Sequence, residues 1–136
     1  TFTVPGPPVP KARARVTSRI DADGKRDTRS FTPAKTKAYE NHVAVIAGAA
    51  RSHLRQWPHL DAKARFGLSV SIFRSAERGD LDNFVKAISD ACNGVLWVDD
   101  SQVRRILAMV DGCEKGRERV EVEIWTIDQK TGATSS

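Results

Sequence analysis

Five aspartates fall within residues 79–103, which read GDLDNFVKAISDACNGVLWVDDSQV. Asp80 and Asp82 precede a run with helical spacing, Asp90 lies inside it, and Asp99 and Asp100 follow as a pair. A fold gains little from such crowding, because neighbouring carboxylates repel and each resists losing its water. A hard divalent cation removes both objections, since it takes oxygen ligands and needs only a few carboxylates from the protein. Lys86 stands four residues after Asp82, one turn along the same side of a helix. It can lean back toward the acids at the helix start. If the chain returns along a neighbouring strand, Asp100 folds back beside Asp80 and Asp82, and three carboxylates converge beside a lysine. That set suits hydrolysis of a phosphodiester: the cation activates water, and the lysine offsets charge in the transition state. Either acidic pair alone is a weak signal. The combination of DxDN, a lysine, a helical spacer and DD is far more specific. An EF-hand is excluded, because Phe84 and Ala91 stand at the fifth and twelfth positions of such a loop. Asp90 reads as a solvated group or one lying beyond the ligands.

The elements that must hold these residues can be read outward from the acids. Asp82 or Asn83 is expected to cap the helix, with Phe84, Ile88, Ala91 and Val95 as its buried stripe and Gly94 as its stop. The chain reaches it from a strand over residues 64–76. There Phe66, Leu68, Val70 and Ile72 alternate with Arg65, Gly67, Ser69 and Ser71. Arg74 and Arg78, near that strand's end, are candidate DNA contacts. After the acids come a strand over 102–110, a loop near 111–116 and a final strand over 119–127. The last alternates Val120, Val122 and Ile124 with Glu121 and Glu123, and Trp125 breaks its pattern. Upstream, residues 1–4 form a short strand stopped by Pro5-Gly6-Pro7-Pro8. Residues 21–24 make the tip of a hairpin. Thr32-Pro33 opens a helix with Tyr39, Val43, Ile46 and Ala50 on one face, fading over 53–58.

Composition bounds the rest. The 136 residues are expected to form one domain over 1–127, followed by a polar, disordered tail over 128–136. No apolar run approaches the roughly 18 residues of a membrane span, and no signal-peptide pattern opens the chain, so a cytoplasmic protein is expected. Cys92 and Cys113 have no metal-ligand spacing and read as reduced thiols. His42, His53 and His59 likewise lack ligand spacing. The net charge of +5 lies wholly in residues 1–40, where nine Lys/Arg face four acids; the remainder balances at thirteen of each sign. Within that part Lys11, Arg13 and Arg15 alternate with small or apolar residues. On an extended strand they share one face about 7 Å apart, close to the phosphate spacing of one nucleic-acid strand. A basic surface beside an acidic cluster suits a polyanion that meets a metal.

The run from Asp80-Leu81-Asp82-Asn83 through Lys86 and Asp90 to Trp97-Val98-Asp99-Asp100-Ser101-Gln102-Val103 resembles the signature of the RusA-type Holliday-junction resolvases. The segment GPPVPKARAR at 6–15 and FTPAKT at 31–36 are similar to the upstream parts of many phage and prophage members. The likeness covers roughly residues 2–127. It implies a small α/β fold of the α+β type, a mixed β-sheet with two main helices packed on it. It further implies a homodimer that needs magnesium, with manganese as a substitute. The reaction it implies is a pair of symmetric nicks across four-way DNA, in recombination and repair, in a bacterial or phage setting. By the same resemblance Asp80, Asp82 and Asp100 match the catalytic metal-binding carboxylates and Lys86 the catalytic lysine. Asp99 matches the neighbour of the third ligand and is an additional candidate for the metal. No membrane and no organic cofactor are implied. The N-terminal segment is longer than in the best-known bacterial pattern. Two alternatives stay open: a nuclease for flaps and forks as well as junctions, and a non-catalytic DNA-binding module of the same fold.

Overall fold

The structure is a computed structural model that describes residues 1–11, 15–20, 26–31, 34–127 and 134–135. Its core is a mixed sheet covered on one face by two helices. In chain order the elements are β1 (Phe2–Pro5), β2 (Arg15–Ile20), β3 (Arg26–Phe31), α1 (Ala34–Arg51), β4 (Arg65–Arg74), α2 (Leu81–Ala91), β5 (Val103–Gly112), β6 (Arg119–Ile127) and β7 (Thr134–Ser135). The four main strands lie in the order β1-β6-β4-β5, and β7 pairs with the end of β6. β4 and β5 are parallel, which requires the crossover that α2 supplies. β6 runs antiparallel to both β4 and β1. The single domain, mixed sheet and two helices are the α+β arrangement expected from the sequence.

Alternation explains the two central strands. Phe66, Leu68, Val70 and Ile72 of β4 and Val120, Val122 and Ile124 of β6 are buried on the helix-covered face. On the opposite face Trp125 lies over Gly67, its partner in the ladder. A Cβ at Gly67 would sit 2.1 Å from the indole Cε2. The tryptophan that breaks the strand pattern therefore fills the place left by a missing side chain.

β5 shows no such alternation because it is an edge. Ile106, Leu107 and Met109 are all exposed, although neighbours in a strand point to opposite faces. The strand also runs on through Asp111 and Gly112, where a loop was expected. In α1 the buried positions are Thr36, Tyr39, Val43 and Ala47, with Ile46 packed at the margin. The stripe drifts from the expected one because it follows the sheet rather than the most apolar residues. β2 and β3 pair antiparallel from Arg15↔Phe31 to Ile20↔Arg26, so the hairpin is present, while its expected tip at 21–24 lies outside the described residues. Among the described residues no helix is long and apolar enough to cross a membrane.

Candidate active site

α2 carries the site, and its two ends are fixed by different devices. At the N-terminal end the chain turns at Gly79, whose positive φ of 86° suits a residue without a side chain. A Cβ there would also press within 2.9 Å of both Phe84 and Pro10. Arg74 donates from Nη1 to the carbonyls of Arg78 (3.1 Å) and Gly79 (2.7 Å). The backbone N–H of Lys11 donates to Asn83 O at 2.8 Å. The proline-rich strap, the end of β4 and the first turn of α2 thus form one packed unit.

Asp80 caps α2 with extended backbone, and its carbonyl accepts from the N–H groups of Asn83 and Phe84. The cap is therefore two or three residues earlier than the expected Asp82 or Asn83, and Asp82 lies inside the first turn. An acid there faces the positive end of the helix dipole. The Asp80 carboxylate makes no capping bond. Both residues are exposed, and among the described residues neither carboxylate is bonded to a protein group.

Lys86 leans forward, not back. Its Nζ is 3.2 Å from Asp90 Oδ1 and 3.9 Å from Asp100 Oδ2. Asp90 is the stronger attractor because it stands one turn on and is only 20 % exposed, so the attraction is less screened than at Asp82. Asp90 also lies 3.4 Å from Lys11, which in turn pairs with Glu40 of α1 at 2.5 Å. Asp90 is thus no solvated bystander: it joins two lysines and borders Asp100. Burial, then hydrogen bonding and repulsion from Asp90, push the Asp100 carboxyl above the usual range. For Lys11, burial opposes the charge, but Glu40 and Asp90 outweigh it and hold the ammonium above its ordinary pKa.

At the other end, Asp100 opens a single 3₁₀ turn, Asp100–Gln102, that leads into β5. Asp99 caps it, accepting from Ser101 N at 3.0 Å; hydrogen bonding from the Ser101 side chain, then from its backbone N–H, holds the Asp99 carboxyl low. Gln102 returns the favour and does more. Its buried side chain accepts from the N–H groups of Val98 (2.9 Å) and Asp99 (3.1 Å) and donates to the carbonyls of Asp61 (2.8 Å) and Ala64 (2.9 Å). The preceding segment is held by aromatic packing. Trp57 stacks on Phe66 at 5.2 Å, and Phe66 meets Trp97 at 5.7 Å. Trp57 Nε1 donates to Leu96 O, Arg51 to Val95 O, and Trp97 Nε1 to Asn93 Oδ1. The sequence reading missed these supports. The D-x-x-Q spacing from Asp99 to Gln102 is a capping-box pattern that could have revealed one of them.

The structure therefore brings together Lys86, Asp90 and Asp100, joined by Lys11, and leaves Asp80 and Asp82 projecting freely at the start of the same helix. Among the described residues no three carboxylate, histidine or cysteine side chains stand close enough to share one ion. The donor chemistry is nonetheless that of a hard cation: exposed carboxylate oxygens, two of them uncommitted. Of the other candidates for DNA contact, Lys11 is engaged with acids, Arg74 with the Arg78–Gly79 carbonyls, and Arg78 is exposed. Arg13 lies outside the described residues, and Arg15 is described only by its backbone at the start of β2.

These placements can be set beside known proteins. The chain is 34 % identical over 118 positions to a protein of Bacillus subtilis (strain 168) named "Uncharacterized protein YqaN", covering 75 % of this chain and 80 % of that one. The family model described as Endodeoxyribonuclease RusA matches residues 5–125, a span that includes the strap, both helices, β4, β5 and most of β6. With nearly the whole domain matched, the chain belongs to the RusA endodeoxyribonuclease family.

Proposed function

We propose that this protein is a magnesium-dependent endonuclease that resolves four-way DNA junctions by paired symmetric nicks during recombination and repair. The observation that carries the reading is the exposed face of α2. Asp82, Lys86 and Asp90 follow one another at four-residue steps along it, with Asp80 before and Asp100 alongside. Asp80 and Asp82, uncommitted at the helix start, and Asp100, paired here with Lys86, would hold the metal, with manganese as a substitute, and binding would have to draw the three together from the positions they occupy here. When bound, the ion supplies a Lewis acid for the phosphodiester and a nucleophile at neutral pH.

The chain's own groups do the rest. Lys86, held by Asp90, presents an ammonium where negative charge grows on the phosphate, and loss of such a donor costs roughly 3–4 kcal/mol of barrier. Asp99 orients Asp100 by fixing the turn it opens. Arg78, with Arg13 and Arg15 from the basic N-terminal part, contacts the DNA backbone, so binding should weaken steeply with salt.

Two symmetric cuts need two sites related by a twofold axis, which a homodimer provides. The free edge of β5, with Ile106, Leu107 and Met109 exposed, supports self-association there. Leu107→Lys is expected to give a monomer by sedimentation; an unchanged dimer would place the interface elsewhere. The setting for such work is the cytoplasm of a bacterial cell.

The test is cleavage of a labelled four-way junction, a flap, a fork and a matched duplex, with and without magnesium. Selective, magnesium-dependent nicking of the junction is expected. Equal cutting of all branched forms would widen the substrate class, and no cutting at all would leave a DNA-binding module. Asp82→Asn should abolish cutting yet retain junction binding, since it disables the metal while easing repulsion of phosphate.

A further inference from the structure

A cleft of about 480 Å³ opens directly beside the acidic helix start. Its lining is mostly apolar: the rings of Pro8 and Pro10 from the strap and of Phe84 from α2. Its rim carries three cations, Lys35 at the start of α1 and Arg74 and Arg78 at the end of β4, against one acid, Glu118, whose carboxylate is taken up by the Ser75 hydroxyl and the Gly116 N–H. Among the described residues neither Lys35 nor Arg78 is in an ion pair, so both cations are uncommitted. An apolar lining whose rim holds two unpaired cations and a net positive charge matches a ligand that is flat and apolar on its faces and anionic at its margin.

The cleft is not a separate feature of the surface. Pro10 packs against Gly79, Arg74 bonds the Gly79 carbonyl, and Asp80 follows at once. Anything seated on Pro10 therefore borders the turn at Gly79 that leads into Asp80. A volume within the roughly 300–1,000 Å³ of small-molecule clefts admits a single ring system.

We propose that this cleft takes one unstacked nucleobase of the DNA strand being cut, its ring on Pro8, Pro10 and Phe84 and its phosphate against Lys35 and Arg78. This rests on the nuclease reading above and adds a source of structure selectivity. Leaving the stack is costly within a continuous duplex and cheapest where stacking is already interrupted. A nucleotide at a branch point can therefore fill the cleft at little cost, and one in linear duplex cannot. Filling it fixes the adjoining phosphate over α2, so the shape of the DNA is sensed by whether a base can leave its neighbours.

The test uses the full chain and a four-way junction carrying one 2-aminopurine at each nucleotide flanking the cut, without divalent ions. At one position fluorescence should rise on binding, as the base leaves its stack. Ala76→Trp, on the exposed wall of the cleft, should remove that rise and slow junction cutting about 10- to 100-fold, the range of a lost base-stacking contact. An abasic nucleotide at the responsive position should slow the wild-type protein similarly and the variant no further. The abasic arm leaves the protein unaltered, so a folding defect in the variant cannot decide the outcome. Wild-type cutting by the variant, or no responsive position in a protein that cuts junctions, overturns the pocket and leaves the nuclease reading intact. A wild-type protein that cuts no DNA overturns both.

Discussion

Gln102 offers the sharpest test of how the site is held. Four hydrogen bonds tie its buried amide to two separate segments, residues 61–64 before β4 and residues 98–99 before Asp100. Gln102→Leu keeps the apolar bulk and deletes all four. At roughly 1 kcal/mol net per bond, with water able to reach the more exposed partners, the loss is about 2–4 kcal/mol. For a domain of this size that lowers Tm by about 10 °C. Gln102→Glu keeps an acceptor for the two amides but sets a second oxygen against two carbonyls. It should be at least as damaging at neutral pH. Its stability should recover as the pH falls, because a protonated carboxyl regains a donor. Urea unfolding followed by tryptophan fluorescence reads both effects, since Trp57 and Trp97 pack nearby. Junction cutting should fall further than stability alone explains, because the turn carrying Asp100 loses its anchor. A leucine variant within about 0.5 kcal/mol of wild type, the range of an ordinary surface change, would refute the reasoning.

Three further outcomes are expected. Asp90→Ala should cost under about 1 kcal/mol, because its ion pairs are partly exposed, yet slow cutting about tenfold or more through misplacement of Lys86; an unchanged rate removes Asp90 from the site. Gly67→Ala should destabilise by about 1–3 kcal/mol as Trp125 is displaced, despite the roughly 0.5–1 kcal/mol that alanine usually gains over glycine in a strand. Pairing it with Trp125→Ala should recover much of the loss, and simple additivity in urea titrations would count against the contact. Burial pushes the Cys92 thiol up to about 12, so at pH 8 it stays protonated and shielded. A thiol reagent should then modify only Cys113 in the native protein and both cysteines in urea.

What could be read from the sequence followed from periodicity. β4 and β6 were legible because one face of each is covered and the other is not, and the two faces alternate residue by residue. The acids stood out because no packing argument explains them. The rest depends on which segments meet in space. Helical spacing sets Lys86 equally near Asp82 and Asp90, and the lower exposure of Asp90, together with the nearby Asp100, decides between them. Lys11 looked like a free phosphate contact until Glu40, twenty-nine residues away, came beside it. β5 was legible as a strand over 102–110, but its buried face was not, since an edge strand may expose apolar residues on either face. Trp125 looked irregular because the glycine that accommodates it lies on another strand.

The strand order has a consequence for how the protein comes into being on the ribosome. β6 is synthesised after β1, β4 and β5, yet it lies between β1 and β4 rather than at a margin. β1, made before the other strands of that sheet, has among them no partner until β6 arrives. The β4–α2–β5 unit, by contrast, is contiguous and holds every proposed metal ligand. It can emerge and collapse early, but with one long side of β4 uncovered and no docked strand β1 ahead of the strap. A nascent chain would therefore carry the chemical groups of a nuclease well before it could grip DNA. Insertion of the central strand is then the step at which the endodeoxyribonuclease domain is completed.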